Sequence, residues 1–192
     1  MMLLISLSLA ASLTAEAPRV PATIATKEGL DFVIATGPID AGFSERLRAA
    51  LDSNAAATSL EVESLGGLSE EAYAAANLLN DRGIGIRVRG RCASACALMW
   101  ASAEQRILFE GARIGFHAGR PSRDPPAILR GAVQRHSSRL AAVAMAKAGF
   151  DDEMIERAAN TPHESMLWLE VAEAKAAGAV FELAPRTTEP TP

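Results

Sequence analysis

The central stretch of the sequence reads Gly90-Arg91-Cys92-Ala93-Ser94-Ala95-Cys96-Ala97-Leu98-Met99-Trp100. Before it, residues 84–88 alternate between apolar and other residues, as in a β-strand, and after it a helix is predicted over residues 94–103. Ser94 therefore stands at a strand-to-helix junction, at the positive end of the helix. A serine in that position either caps the helix or acts as a nucleophile.

Outward from this stretch, strands and helices alternate. The chain order is typical of βαβ units, which form parallel sheets and bind ligands at the carboxyl ends of the strands. Gly66-Gly67 follows one such strand, as Ser94 follows the next. The predicted strands are 22–26, 31–35, 59–65, 84–88, 106–109, 113–116, 166–169 and 180–183. The predicted helices are 41–52, 70–80, 94–103, 127–148, 151–159 and 171–177. Ser69 is the predicted cap of helix 70–80, and a turn is predicted at Gly90, between strand 84–88 and helix 94–103.

Length and composition indicate one domain. The chain has 192 residues, of which 49% are hydrophobic, enough for a substantial core. Its net charge of −4 argues against a general nucleic-acid-binding face. We therefore expect no nucleic-acid partner.

The N-terminus has the pattern of an export signal. Residues 3–13 form a short apolar run, and Ala15-Glu16-Ala17 is a cleavage site of the small-x-small type. This predicts a cleaved signal peptide over 1–17 and a periplasmic or secreted protein. An uncleaved membrane anchor is the alternative, which the shortness of the run disfavours. The Pro-rich residues 185–192 are predicted to be a disordered tail.

Cys92 and Cys96 are the whole cysteine inventory. They either form a disulfide in an oxidising compartment or act as two small buried apolar side chains. Together with His117 they would supply three zinc ligands, but no fourth ligand is evident. We therefore predict no metal and no cofactor.

Residues suited to acyl transfer stand near the ends of neighbouring strands. Ser94 supplies a hydroxyl, and the amides of Ala95 and Gly67 are candidate donors for an oxyanion. His117 ends the strand at 113–116 and is the expected base near neutral pH. Taken singly, each has an ordinary structural explanation as a helix cap, a turn glycine or a strand-end histidine.

Three motifs occur in a fixed order: Ser64-Leu65-Gly66-Gly67, Cys92-Ala93-Ser94-Ala95-Cys96 and Ile114-Gly115-Phe116-His117. This order resembles the Clp protease proteolytic-subunit family and the wider crotonase superfamily, most closely a predicted periplasmic branch of it. The resemblance covers about residues 37–184. It implies an α/β fold of repeated ββα units over residues 18–184, with a mostly parallel sheet and a C-terminal helical segment.

The resemblance also implies an activity. It makes the chain a serine peptidase or related hydrolase in which Ser94 attacks, His117 is the base, and the amides of Gly67 and Ala95 hold the oxyanion. A peptide or acyl compound would be the substrate. The resemblance further implies a homo-oligomer, with the helix over 127–148 as the contact, and an exported protein would have no ATPase partner.

The third catalytic member departs from the family pattern. Met166 occupies the position where that pattern has an Asp, and the nearest acid is Glu164. Glu164 is thus the candidate to orient His117 in a triad, and Asp151 and Asp152 are more distant candidates. Without such an acid, the site is a Ser-His dyad or has lost its chemistry. The alternative function is that of a non-catalytic binding or assembly module that retains the fold. A third hypothesis is an enzyme that acts on acyl-CoA compounds.

Overall fold

The computed structural model describes residues 20–27, 29–119 and 125–186. The predicted signal peptide and most of the predicted tail lie outside these residues. The elements, in chain order, are β1 (Thr23–Thr26), β2 (Phe32–Thr36), α1 (Phe43–Ser53), β3 (Ser59–Ser64), α2 (Ser69–Asp81), β4 (Gly85–Ala93), α3 (Ala95–Ser102), β5 (Arg106–Phe109), β6 (Arg113–Phe116), α4 (Ala127–Lys147), α5 (Asp152–Asn160), β7 (Leu167–Glu170), α6 (Val171–Ala176) and β8 (Glu182–Ala184).

The strands form one mixed sheet that is mostly parallel. Its main path runs β1-β2-β3-β4-β5-β8, and β6 pairs with both β4 and β7. Among the described strands, β1 with β2 and β6 with β7 are antiparallel, and the other pairs are parallel. The predicted α/β class with a mostly parallel sheet is confirmed.

Strand β4 is the centre of the sheet. Its first half pairs with β5 (Ile86 opposite Arg106) and its second half with β6 (Cys92 opposite Ile114). The turn predicted at Gly90 was wrong, because β4 continues through it to Ala93. The Glu63 carboxylate packs over Gly90, where a Cβ would lie 2.9 Å from its Cδ. This split pairing brings the end of β6 beside the junction that carries Ser94.

Helices α1, α2 and α3 cover one face of the sheet. Helix α3 is buried on almost all sides, which explains why its sequence is apolar without a helical period. Trp100 in α3 is fully buried and packs against the rings of Phe150 and Phe181. These contacts fix the helix whose first turn carries the candidate site.

The predicted cap of α2 is also corrected. Ser69 is the first helical residue, and Leu68 stands at the cap position without a side-chain hydrogen bond. Asp151, in contrast, caps α5 by accepting a hydrogen bond of 2.8 Å from the Met154 N–H. Among the helices of the described ranges, none has both the length and the apolar character needed to cross a membrane.

Candidate active site

Ser94 links β4 to α3 in a conformation that few residues adopt. Its φ is 55° and its ψ is −123°, and it is the only non-glycine residue with positive φ in the described part of the chain. Such a conformation costs about 1–3 kcal/mol and persists only where the surroundings enforce it. Its N–H donates to the Gly115 carbonyl of β6 at 2.8 Å, and its carbonyl accepts from Leu98 N–H at 3.0 Å.

The Ser94 hydroxyl does not cap the helix. No side-chain cap bond forms at this position. Instead, Ser94 Oγ lies 2.8 Å from Nε2 of His117, which follows β6 directly. Of the two interpretations of this serine, helix cap or nucleophile, the geometry favours the second, since the hydroxyl forms no cap bond and lies beside a base.

The second ring nitrogen of His117 fixes its tautomer. Nδ1 lies 2.8 Å from the Ala118 carbonyl oxygen. A carbonyl oxygen only accepts, so Nδ1 carries the hydrogen and Nε2 presents its lone pair to the Ser94 hydroxyl. The Ala118 segment is itself held by an N–H bond of 2.8 Å to the Thr161 carbonyl. This is the tautomer that a general base requires.

The electrostatic surroundings keep His117 neutral. Burial lowers the pKa of His117 below its ordinary value, and the nearby His163 acts in the same direction. The hydrogen bond to Ala118 and the charge of Glu164 oppose this shift but do not cancel it. The imidazole is therefore available to accept a proton at neutral pH.

The main-chain N–H groups of Gly67 and Ala95 are the two candidate oxyanion donors. Gly67 forms an isolated parallel bridge with Ile39, in which Ile39 donates to Gly66 O at 2.9 Å and Leu68 donates to Ile39 O at 2.7 Å. The Gly67 N–H therefore points to the opposite side, toward β4. Ala95 is the first residue of α3, and its N–H has no partner in the helix. Neither N–H donates a hydrogen bond within the described residues.

The two glycines allow this close approach. A Cβ on Gly66 would lie 2.6 Å from Ser94 Cβ and 2.8 Å from Ala93 O, and a Cβ on Gly67 would collide with the Ile39 carbonyl. Their φ values, 104° and 148°, also favour glycine.

Ser94, His117 and Gly67 line a cleft between the sheet edge and helices α2, α3, α4 and α5. The cleft has a volume of about 110 Å³. Tyr73 of α2 also lines it; its hydroxyl oxygen is buried without a hydrogen-bond partner among the described residues, and burial raises its pKa to about 12. The rest of the wall is largely apolar and includes Leu98, Phe116, Leu140, Ala141, Met145, Ile155 and Ala158.

The hydrogen-bonding role predicted for Glu164 is taken by the Ala118 carbonyl. Glu164 is exposed in the turn that Ser165 N–H closes onto Pro162 O at 2.9 Å, and it makes no hydrogen bond to His117. A main-chain carbonyl on the adjacent residue reaches Nδ1 without any loop movement. Glu164 therefore influences the imidazole only through its charge.

Two further residues of this segment approach the site. The ring of His163 meets that of His117 edge-on, with centroids 4.6 Å apart. Met166 lies against Gly115, where a Cβ would be 2.8 Å from its Sδ. Because Phe116 pairs with Leu167, Met166 comes opposite His117.

A disulfide joins Cys92 and Cys96, with their Cα atoms 5.2 Å apart. Both side chains are fully buried. In the described ranges, no group of three or more His, Cys, Asp and Glu side chains is arranged to hold a metal ion.

Sequence reasoning missed Ala118 and Tyr73. The role of Ala118 has no sequence signal, because every residue has a carbonyl. Tyr73 is the only tyrosine of the chain and lies one helical turn beyond Ser69, which also lines the cleft.

The sequence was also compared with known proteins: no family model matches it, and no curated protein shows significant similarity.

Proposed function

We propose that this protein is an exported serine hydrolase of the Clp protease and crotonase type that cleaves a peptide or related acyl bond with a Ser-His dyad. One observation carries the proposal: Ser94 Oγ lies 2.8 Å from His117 Nε2, while Nδ1 of the same ring donates to the Ala118 carbonyl. A nucleophile, a base in the correct tautomer and a group that orients the base are the parts that acyl transfer needs.

The reaction proceeds in two halves. Ser94 Oγ attacks the substrate carbonyl carbon as its proton passes to His117 Nε2, and the oxyanion accepts hydrogen bonds from the Gly67 and Ala95 N–H groups. Collapse breaks the acyl bond, and His117 returns the proton to the leaving amine or alcohol. Water, deprotonated by His117, then attacks the acyl-Ser94 ester, and the acid is released with Ser94 restored.

The fold and its surroundings support the wider proposal. The buried disulfide suits an oxidising compartment, that is, a periplasmic or secreted location. Only Ala144 and Met145 of α4 are buried, whereas Ile128 is 90% and Val143 59% exposed. An apolar face of this kind supports association of copies through α4. We expect no ATPase partner.

The rival proposal is a non-catalytic binding or assembly module. Its motivation is Met166 in the place of an acid. The contact between Ser94 and His117, and the Ala118 carbonyl that makes an acid dispensable for orienting the ring, favour the hydrolase. Acyl-CoA chemistry would use the same two N–H groups, so a thioester belongs among the substrates tested.

The decisive experiment is covalent labelling with a fluorophosphonate, which requires an activated serine. The mature protein is treated across about pH 5 to 9, and the labelled peptide is identified by mass spectrometry. We expect labelling at Ser94, none in Ser94→Ala, and normal labelling in Ser138→Ala, because Ser138 also lines the cleft, but among the described residues the serine that is hydrogen-bonded to a histidine is Ser94. A folded wild-type protein that remains unlabelled throughout would overturn the proposal.

A further inference from the structure

The disulfide spans two residues of the proposed site, the nucleophile Ser94 and the oxyanion donor Ala95. Cys92 is in β4 and Cys96 is in the first turn of α3. Only Ala93, Ser94 and Ala95 lie between them. The ring closed by the disulfide therefore contains the nucleophilic hydroxyl of Ser94 and the oxyanion N–H of Ala95.

One end of this ring is anchored in the sheet. Cys92 pairs with Ser64 of β3 on one side and with Ile114 of β6 on the other. These are the strands that lead to Gly67 and His117. The covalent bond thus ties the start of α3 to the strands that carry the other parts of the site.

The turn needs such a restraint. Ser94 has a φ of 55°, and a non-glycine residue leaves that region unless its surroundings hold it there. The non-covalent restraints are the Ser94 N–H bond to Gly115 O and the Leu98 N–H bond to Ser94 O. Gly66 packs against the turn from the β3 side, but it has no side chain that could hold Ser94 in place.

We infer that the Cys92–Cys96 disulfide is a permanent positioning clamp for Ser94 and the Ala95 N–H, rather than a general stabiliser or a redox switch. This inference rests on the proposed function. A ring this short removes less entropy from the unfolded chain than a long loop would, so it contributes less to global stability than a long-range disulfide does. Both sulfur-bearing side chains have zero exposure, so a reductant does not reach them in the folded protein.

The test compares the rate constant for fluorophosphonate labelling in wild type and in Cys92→Ala/Cys96→Ala. We expect the rate constant to fall about 10- to 100-fold, because a small misplacement of reacting atoms has effects of that size. The control is Leu47→Ala, which creates a cavity under α1, away from the turn. It should lower the melting temperature at least as much as the double variant does, yet label at the wild-type rate at a temperature where all proteins are folded.

The pH profile separates positioning from loss of the base. In the double variant the rate constant should fall at every pH with the midpoint of the profile unchanged, since His117 is untouched. A double variant that labels within about twofold of wild type overturns the clamp while leaving the proposed function standing. A wild-type protein that does not label at all overturns the proposed function itself.

Reduction provides the second arm. A dithiol supplies two electrons and two protons and converts the disulfide to two thiols. Added to the native protein, it should leave the labelling rate unchanged. Added in denaturant before refolding under reducing conditions, it should lower the rate to that of the double variant, and reoxidation should restore it. Prompt loss of labelling in the native protein would overturn the permanence of the clamp.

Discussion

The two sides of the cleft next to His117 are built differently. The sheet side consists of Gly66-Gly67, the Cys92–Cys96 turn and His117-Ala118, and it is held by strand pairing, main-chain hydrogen bonds and a disulfide. The loop side consists of residues 162–165, with His163 and Glu164 both exposed. The sheet side supplies every hydrogen bond that the proposed reaction needs. The loop side supplies charge and the edge-on ring contact of His163 with His117, but no hydrogen bond to the imidazole.

The difference bears on how the proposed site would work without an acidic third member. In a Ser-His-Asp triad, a carboxylate selects the tautomer and orients the ring. Here the Ala118 carbonyl does both, at 2.8 Å from Nδ1. A carbonyl lacks the full charge of a carboxylate, so it stabilises the imidazolium of the transition state less, and the proposed dyad should react more slowly than a complete triad would.

The largest expected effect separates the two histidines. His117→Ala removes the base and should lower the labelling rate constant about a thousandfold or more. His163→Asn, on the loop side, should change it by less than about threefold because this ring touches His117 only edge-on. Equal losses in the two variants, measured by labelling kinetics on folded protein, would mean that the loop side takes part in the chemistry.

The next effect concerns the backbone on the sheet side. Gly66→Ala places a Cβ 2.6 Å from Ser94 Cβ at a φ of 104°, so both packing and backbone are strained. We expect thermal unfolding to show a loss of about 3 kcal/mol or more, together with slower labelling.

The matched control for this substitution is Gly83→Ala. Gly83 also has a positive φ, 65°, but no atom lies within 4 Å of its added Cβ. It should cost only about 1 kcal/mol and leave labelling unchanged. If the two alanine variants lose the same stability, the close approach of Gly66 to Ser94 has no energetic consequence.

The positions of Gly67, Ser94 and His117 on the sheet side could be predicted from the sequence. Gly67, Ser94 and His117 each follow a strand, and neighbouring parallel strands bring their carboxyl ends together. The alternation of apolar residues located β3 and the first half of β4, but it missed the continuation of β4 through Gly90 to Ala93.

The remaining features depend on tertiary contacts. Gly90 usually signals a turn, but here it makes room for Glu63 inside a continuous strand. Glu71 stands in the first turn of α2, yet its carboxylate accepts from Gly42 N–H at 2.8 Å and Ser44 N–H at 2.9 Å at the start of α1. The Ala118 carbonyl carries no residue-specific mark at all.

A smaller effect appears in the pH dependence. Because burial lowers the pKa of His117, the labelling rate should rise with pH through that lowered value and reach a plateau by neutral pH. A profile with its midpoint above the ordinary histidine pKa of about 6.5 would contradict the assignment of His117 as a buried neutral base.

The same shift affects stability. Below the unfolded-state pKa of about 6.5, the unfolded chain binds a proton that the folded protein still excludes. The free energy of unfolding should therefore fall as the pH drops from about 6.5 toward the lowered folded-state pKa, and level off below it with respect to this group. Denaturant unfolding of His117→Asn should show less of this dependence than wild type.

The smallest effect distinguishes charge from hydrogen bonding on the loop side. The Glu164 carboxylate raises the pKa of His117 and His163 lowers it. Glu164→Gln should therefore move the midpoint of the labelling profile to lower pH, and His163→Asn should move it to higher pH, with neither altering the plateau rate by more than about threefold. Opposite shifts with equal plateaus would fit a loop that acts through charge alone, whereas a plateau about a hundredfold lower in Glu164→Gln would make this carboxylate a triad member and displace the Ala118 carbonyl from that role.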